Sequence, residues 1–204
     1  VKSILREFGL DPSNLASGTT DSGSDIKALC INGLLPKFGT KWGWCFCHLM
    51  VKAAEQGFGV SLDPATSKNP EARDMLKHVI KVVETLNKSP NLRKKFEDLQ
   101  VDMLGEVFKI VKHAPQRWLS LTRTVERIIR LWHVLRKLYS DEGKDFPLEQ
   151  GDNKRGILQL YSLLQPLSSI TRDGQYGGAP MTADIFMKFG LLKMDVLDMS
   201  KPLK

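Results

Sequence analysis

Apolar residues recur at three- and four-residue spacing through most of the chain, a period that predicts helices. The clearest stretch is 116–139, where Trp118, Leu121, Val125, Ile128, Trp132 and Leu135 share one face. Arg123, Arg127, Arg130 and Lys137 lie on the opposite face. Asn69-Pro70 and Ser89-Pro90 each set an N-cap residue before a proline at the first helical position. The first opens a helix through Met75, Leu76, Val79, Ile80, Val83 and Leu86. The second opens one through Leu92, Phe96, Leu99 and Met103, closed by Gly105. Further helices are expected over 1–9, with Ile4, Leu5 and Phe8 on one face, and over 25–35, 157–170 and 181–194. Residues 47–56, with His48, Leu49, Val51, Ala53 and Ala54, suit a buried helix ended by Gly57 and Gly59. Pro36–Thr40, Ser140–Arg155 and Gly174–Pro180 read as loops, the second marking a boundary or an exposed connection.

Strand signals are few: Leu15–Thr20, the aromatic run Trp42–Phe46 and the β-branched run Val107–Val111. Three short strands leave several backbone edges open. The sheet is therefore completed by residues outside this chain, or some of these strands do not form. The pattern gives an α/β fold that is predominantly α-helical, with marginal stability or aggregation expected from the open edges. The chain opens on Val rather than Met, which suggests a fragment or a processed start.

Composition narrows this moderately. The 204 residues carry 30 Lys and Arg against 23 Asp and Glu, a net charge of +7. That balance permits nucleic acid or an anionic surface as partner without selecting either. Three cysteines make no disulfide framework and fit a reducing compartment. No apolar run approaches the roughly 20 residues of a membrane span, so a membrane partner is not expected.

Candidate chemistry sits in three places. Asp21 follows a strand and precedes the small-residue turn Ser22-Gly23-Ser24, after which a helix begins near Asp25. Strand–acid–turn–helix places a carboxylate at the C-terminal end of a strand, where open α/β sheets bind ligands. A side chain that merely braces the turn explains the same residue. Cys45-Phe46-Cys47-His48 suggests metal, but the ligands are crowded and no second pair follows, so packing roles for Cys45 and His48 fit better. Arg117-Trp118 opens the long basic helix. Trp118 is either a core anchor or a residue that stacks on a nucleobase beside a phosphate-holding Arg117. The Arg123, Arg127 and Arg130 stripe is a solvated face or a track for a phosphate backbone. There is no Ser/His/Asp arrangement, Walker loop or dinucleotide glycine pattern, and no small-molecule substrate is implied.

In order and spacing these segments resemble the hAT superfamily of DNA transposases. Thr19-Thr20-Asp21-Ser22-Gly23-Ser24-Asp25 resembles the family's Thr-Asp-Asn-x-Ser-Asn strand–helix segment. Cys45-Phe46-Cys47-His48-Leu49 resembles its Cys-x-x-His segment with a following Leu, and Arg117-Trp118-Leu119-Ser120 its Arg-Trp-x-Ser motif. Leu163-Leu164-Gln165-Pro166, with Thr171 and Gln175, resembles its Leu-x-Pro…Thr…Gln segment. The chain departs from the family at Ser22, at Met50-Val51 and at Pro115-Gln116, as a divergent lineage or a decaying copy would.

The resemblance implies a partial RNase H-like core over 1–139 and the start of an all-helical insertion over 140–204. It implies a nuclear protein with DNA as partner and self-association in the full-length form. It implies three carboxylates holding two Mg²⁺ or Mn²⁺ ions across an in-line displacement. Asp21 matches the second of these acids, as a catalytic and metal-binding residue, and the neighbourhoods of the other two are missing here. One carboxylate holds Mg²⁺ weakly, so the chain alone is expected to bind no metal stably and to cut no DNA. Arg117 and Trp118 take the DNA-facing places, and Cys45 and His48 pack or orient the site beneath. The alternative is a non-catalytic DNA-binding or protein-interaction module on the same fold.

Overall fold

A computed structural model describes residues 2–14, 17–21, 23–39, 41–60, 63–65, 67–112, 114, 118–149, 153–175, 182–195, 198 and 200. The chain divides into two compact units, 1–51 and 52–204. Helix predominates throughout, and the described strands form one two-stranded parallel sheet.

The first unit begins with α1, Lys2–Glu7, and a 3-10 turn at Pro12–Asn14. Leu5 is buried, whereas Ile4 and Phe8 are exposed, so the expected three-residue face does not form. Strand β1, Ser17–Thr20, pairs in parallel with β2, Lys41–Trp44, in the register Thr20↔Trp44. Parallel strands need a crossover, and here it is helical from Ser24 to Phe38. That crossover runs as α2, Ser24–Leu29, a π-helical segment Cys30–Leu34, and α3, Leu35–Phe38. The expected loop at Pro36–Thr40 is corrected over Pro36–Phe38, which are helical, and Thr40 lies outside the described residues. Pro36 has no N–H for the Asn32 carbonyl, but the helix widens before it: the Leu35 N–H reaches back to the Cys30 carbonyl. Proline then sits in the first turn of α3, where its missing donor costs nothing. Gly39 ends the helix in the left-handed conformation at φ +67°. The aromatic run is strand only to Trp44, because Phe46 already belongs to α4, Phe46–Phe58. On α4 the buried positions are Met50 and Ala54, and Leu49 is exposed.

In the second unit α5, Pro70–Lys88, and α6, Pro90–Leu104, start where their caps demand. The Asn69 side chain accepts from the Ala72 N–H at 3.0 Å and Ser89 Oγ from the Leu92 N–H at 3.3 Å. Leu76, Val79, Val83 and Leu86 are buried as the period requires. On α6 Phe96 is buried, whereas Met103 is exposed.

The single helix expected over 116–139 is two helices, α7, Trp118–Arg130, and α8, Trp132–Asp141. They meet at Leu131, whose φ −96° and ψ 14° leave the helical region. The bend lets α7 pack on α9, Asn153–Gly174, while α8 packs on α6. Leu121, Val125, Ile128, Leu131, Trp132 and Leu135 stay buried through it. Helix α9 also packs on α5, and α10, Thr182–Asp195, packs on α9. Position 139/140, where the resemblance puts a change of domain, lies inside this unit.

Two connecting segments differ from expectation. Val107–Val111 is not a strand; its backbone bonds go to side chains instead. The Phe108 N–H donates to Gln100 Oε1 at 2.8 Å, and Thr124 Oγ1 donates to the Val111 carbonyl at 3.0 Å. The 140–155 connection carries Phe146, buried with its ring 5.1 Å from that of Trp132 and 5.3 Å from that of Tyr139. It is a lid on the core as well as a polar loop.

Phe146→Ala is expected to cost about 3 kcal/mol in urea unfolding, the usual loss for a core phenylalanine. Asn69→Ala is expected to cost about 1 kcal/mol through its cap. A Phe146→Ala variant as stable as the parent would remove this loop from the core.

Candidate functional site

The local geometry at Asp21 follows from the two strands. The Cys45 N–H donates to the Thr20 carbonyl at 2.7 Å, one residue beyond the paired strand ends. Thr20 Oγ1 accepts from Trp42 Nε1 at 2.8 Å and donates to the Asp21 carbonyl at 3.1 Å. Backbone and side chain thus fix the strand end from which Asp21 projects. Asp21 is exposed, and its Oδ1 accepts the Gly23 N–H at 3.1 Å. That bond is a turn-bracing duty. A Cβ at position 23 would lie 3.1 Å from the same oxygen, so the close turn suits glycine. Helix α2 starts directly afterwards, with Asp25 in its first turn near the positive end of the helix.

Cys45 caps α4, its carbonyl accepting the Leu49 N–H at 3.0 Å, and His48 sits half-buried in the first turn. Asp21 and Cys45 therefore occupy neighbouring strand ends, with His48 one turn along the helix that follows β2. The Cys47 thiol is pushed up from its ordinary value by burial and then by its neighbour Cys45. Among the described residues no three of His, Cys, Asp and Glu cluster so as to hold a metal ion. Among the described residues the donor set at this strand end is one carboxylate with one oxygen engaged, which can supply one of the ligands of a two-metal centre and needs further acids to complete it.

Arg117 lies outside the described residues. Trp118 opens α7 in the second unit. The arginine stripe behind it is largely committed to the protein itself. The Arg130 guanidinium lies 3.7 Å from the Phe108 ring centroid and Arg127 5.1 Å. Arg130 also approaches Glu106 at 3.7 Å. Lys137 pairs with Asp141. Arg127 and Arg130 thus pack on the segment at Glu106 and Phe108.

Two features escaped the sequence reading. Trp42 and Trp44 stack tilted at 5.3 Å, with the Lys27 ammonium 5.7 and 5.4 Å from their rings. The i, i+2 spacing on a strand was the available signal. Gln100 is wholly buried and, among the described residues, its amide NH₂ has no partner. It lines a cavity of about 290 Å³ with Arg93, Phe96 and Lys109. Nothing in its sequence surroundings marks it. No helix among the described residues is long and apolar enough to cross a membrane. Comparison with protein-family models, with curated proteins and with solved structures finds no match.

Cys47 stays a thiol to higher pH than a free cysteine, so alkylation at pH 9 is expected to be slower than for a denatured control. Its folded pKa is raised above the ordinary 9.0, so the unfolded thiol ionises first. The contribution to stability is present below that value and is lost as pH climbs through the folded one. Equal alkylation rates in folded and denatured chain would contradict the half-buried placement of Cys47.

Proposed function

We propose that this chain is a fragment or domesticated remnant of an hAT-type DNA transposase, a partial RNase H-like core joined to an all-helical region, with Asp21 as one of three metal-binding acids. The observation that carries the reading is Asp21 itself, set at the C-terminal end of a strand in a parallel β–helix–β unit beside Cys45. That is the edge of an open α/β sheet at which ligands bind. Two further features support incompleteness. Among the described residues each strand has one neighbour, leaving both outer edges unpaired. The crossover exposes Ile26, Leu29, Ile31 and Leu35, an apolar surface that further strands or a further layer would cover.

In this reading the missing acids come from outside this chain. Mg²⁺ or Mn²⁺ would supply Lewis-acid stabilisation once all three acids are present. This chain's part is to hold one carboxylate at a fixed strand end. Arg117 and Trp118 are the proposed DNA contacts, DNA in the nucleus is the proposed partner, and the full-length protein self-associates. A second reading, a non-catalytic module on the same fold, is favoured by the turn-bracing bond between Asp21 and Gly23.

The test is metal-dependent nicking of supercoiled DNA by the full open reading frame. Nicking that EDTA abolishes, and that Asp21→Asn lowers by about 10³-fold or more, is the expected result. The 204-residue chain alone is expected to be inactive. Undiminished nicking by the Asp21→Asn protein would refute the assignment, and an inactive full-length protein that still binds DNA would favour the second reading.

A further inference from the structure

Between α7 and α9 lies a polar cleft of about 150 Å³, apart from Asp21 and independent of the reading above. Helix α7 contributes Thr122, Arg123 and Glu126, which share one face at i, i+1 and i+4. Helix α9 contributes Tyr161, Ser168, Ser169 and Arg172 from the stripe adjoining its buried one. Thr122 is buried and puts a hydroxyl-bearing side chain into the wall of the cleft. Among the described residues neither Arg123 nor Arg172 forms an ion pair, unlike Arg73, Arg130 and Arg136. Two arginines and a single carboxylate, Glu126, therefore line one cleft. Burial and then the charge of Glu126 push the Tyr161 phenol up, which keeps it a donor.

We propose that this cleft is a binding site for hydrogen phosphate. Arg123, Arg172 and the hydroxyls donate to the unprotonated oxygens, with charge-assisted bonds from the guanidiniums. Glu126 accepts from the P–OH. A carboxylate in an anion site is repulsive toward any oxyanion that has no proton to give, so Glu126 makes the site selective. Sulfate and phosphodiesters, including a nucleic-acid backbone, carry no such proton at neutral pH and are disfavoured.

Isothermal titration calorimetry of the 204-residue chain at pH 7 with inorganic phosphate, sulfate and dimethyl phosphate tests this. One saturable phosphate site is expected, with sulfate and dimethyl phosphate weaker by about tenfold or more. Arg172→Gln and, separately, Arg123→Gln are expected to weaken phosphate by about tenfold. Both arginines are exposed, so either variant serves if the other fails to fold. Glu126→Gln is expected to bring sulfate close to phosphate. Absence of saturable phosphate binding, equal binding of phosphate and sulfate by the parent, or unchanged binding in a folded arginine variant would each overturn the proposal.

Discussion

The first unit depends on one backbone bond, from the Cys45 N–H to the Thr20 carbonyl. Four paired residues make a short ladder, and a parallel pair this small has little else to set its register. The bond fixes the strand ends in line, and the Trp42–Thr20 hydrogen bond repeats the constraint through side chains. The helical crossover, the turn at Gly23 and the start of α4 all leave from these two ends. Asp21 owes its position to this arrangement, and the bond its Oδ1 accepts from the Gly23 N–H braces the turn that follows.

The second unit rests on a different principle. Its helices bury continuous aliphatic stripes, and backbone groups of Phe108, Ala114 and Val111 are satisfied by the side chains of Gln100, Ser120 and Thr124. The basic face of α7 packs on Phe108 through Arg127 and Arg130. Charge that looked like a nucleic-acid track in one dimension is thus partly structural in three. Arg123 is an exposed member of the stripe, and with Arg172 it lines the cleft between α7 and α9.

What could be read in advance was what local chemistry determines. Asn69, Ser89 and Gly105 announced helix ends because caps act within one turn of the chain. The stripes of α5, α7 and α8 were legible because one face of each is buried. Asp21 was placed at a strand end because the strand, turn and helix are contiguous in sequence. What stayed hidden depends on partners far apart in the chain. Val107–Val111 has strand composition, yet the partners it meets are side chains of α6 and α7. The break at Leu131 reflects two different neighbours for α7 and α8. Phe146 was lost in a polar loop because one buried ring does not make a pattern. The α7–α9 cleft joins residues about forty apart in sequence, none of which forms a motif alone.

Amide hydrogen exchange at Cys45 probes this bond. The single amide is expected to exchange far more slowly than an unstructured cysteine amide, and Thr20→Pro, which disrupts the strand end, is expected to remove the protection. Exchange of the Cys45 amide at the unstructured rate in the parent chain would contradict the parallel register, and with it the placement of Asp21.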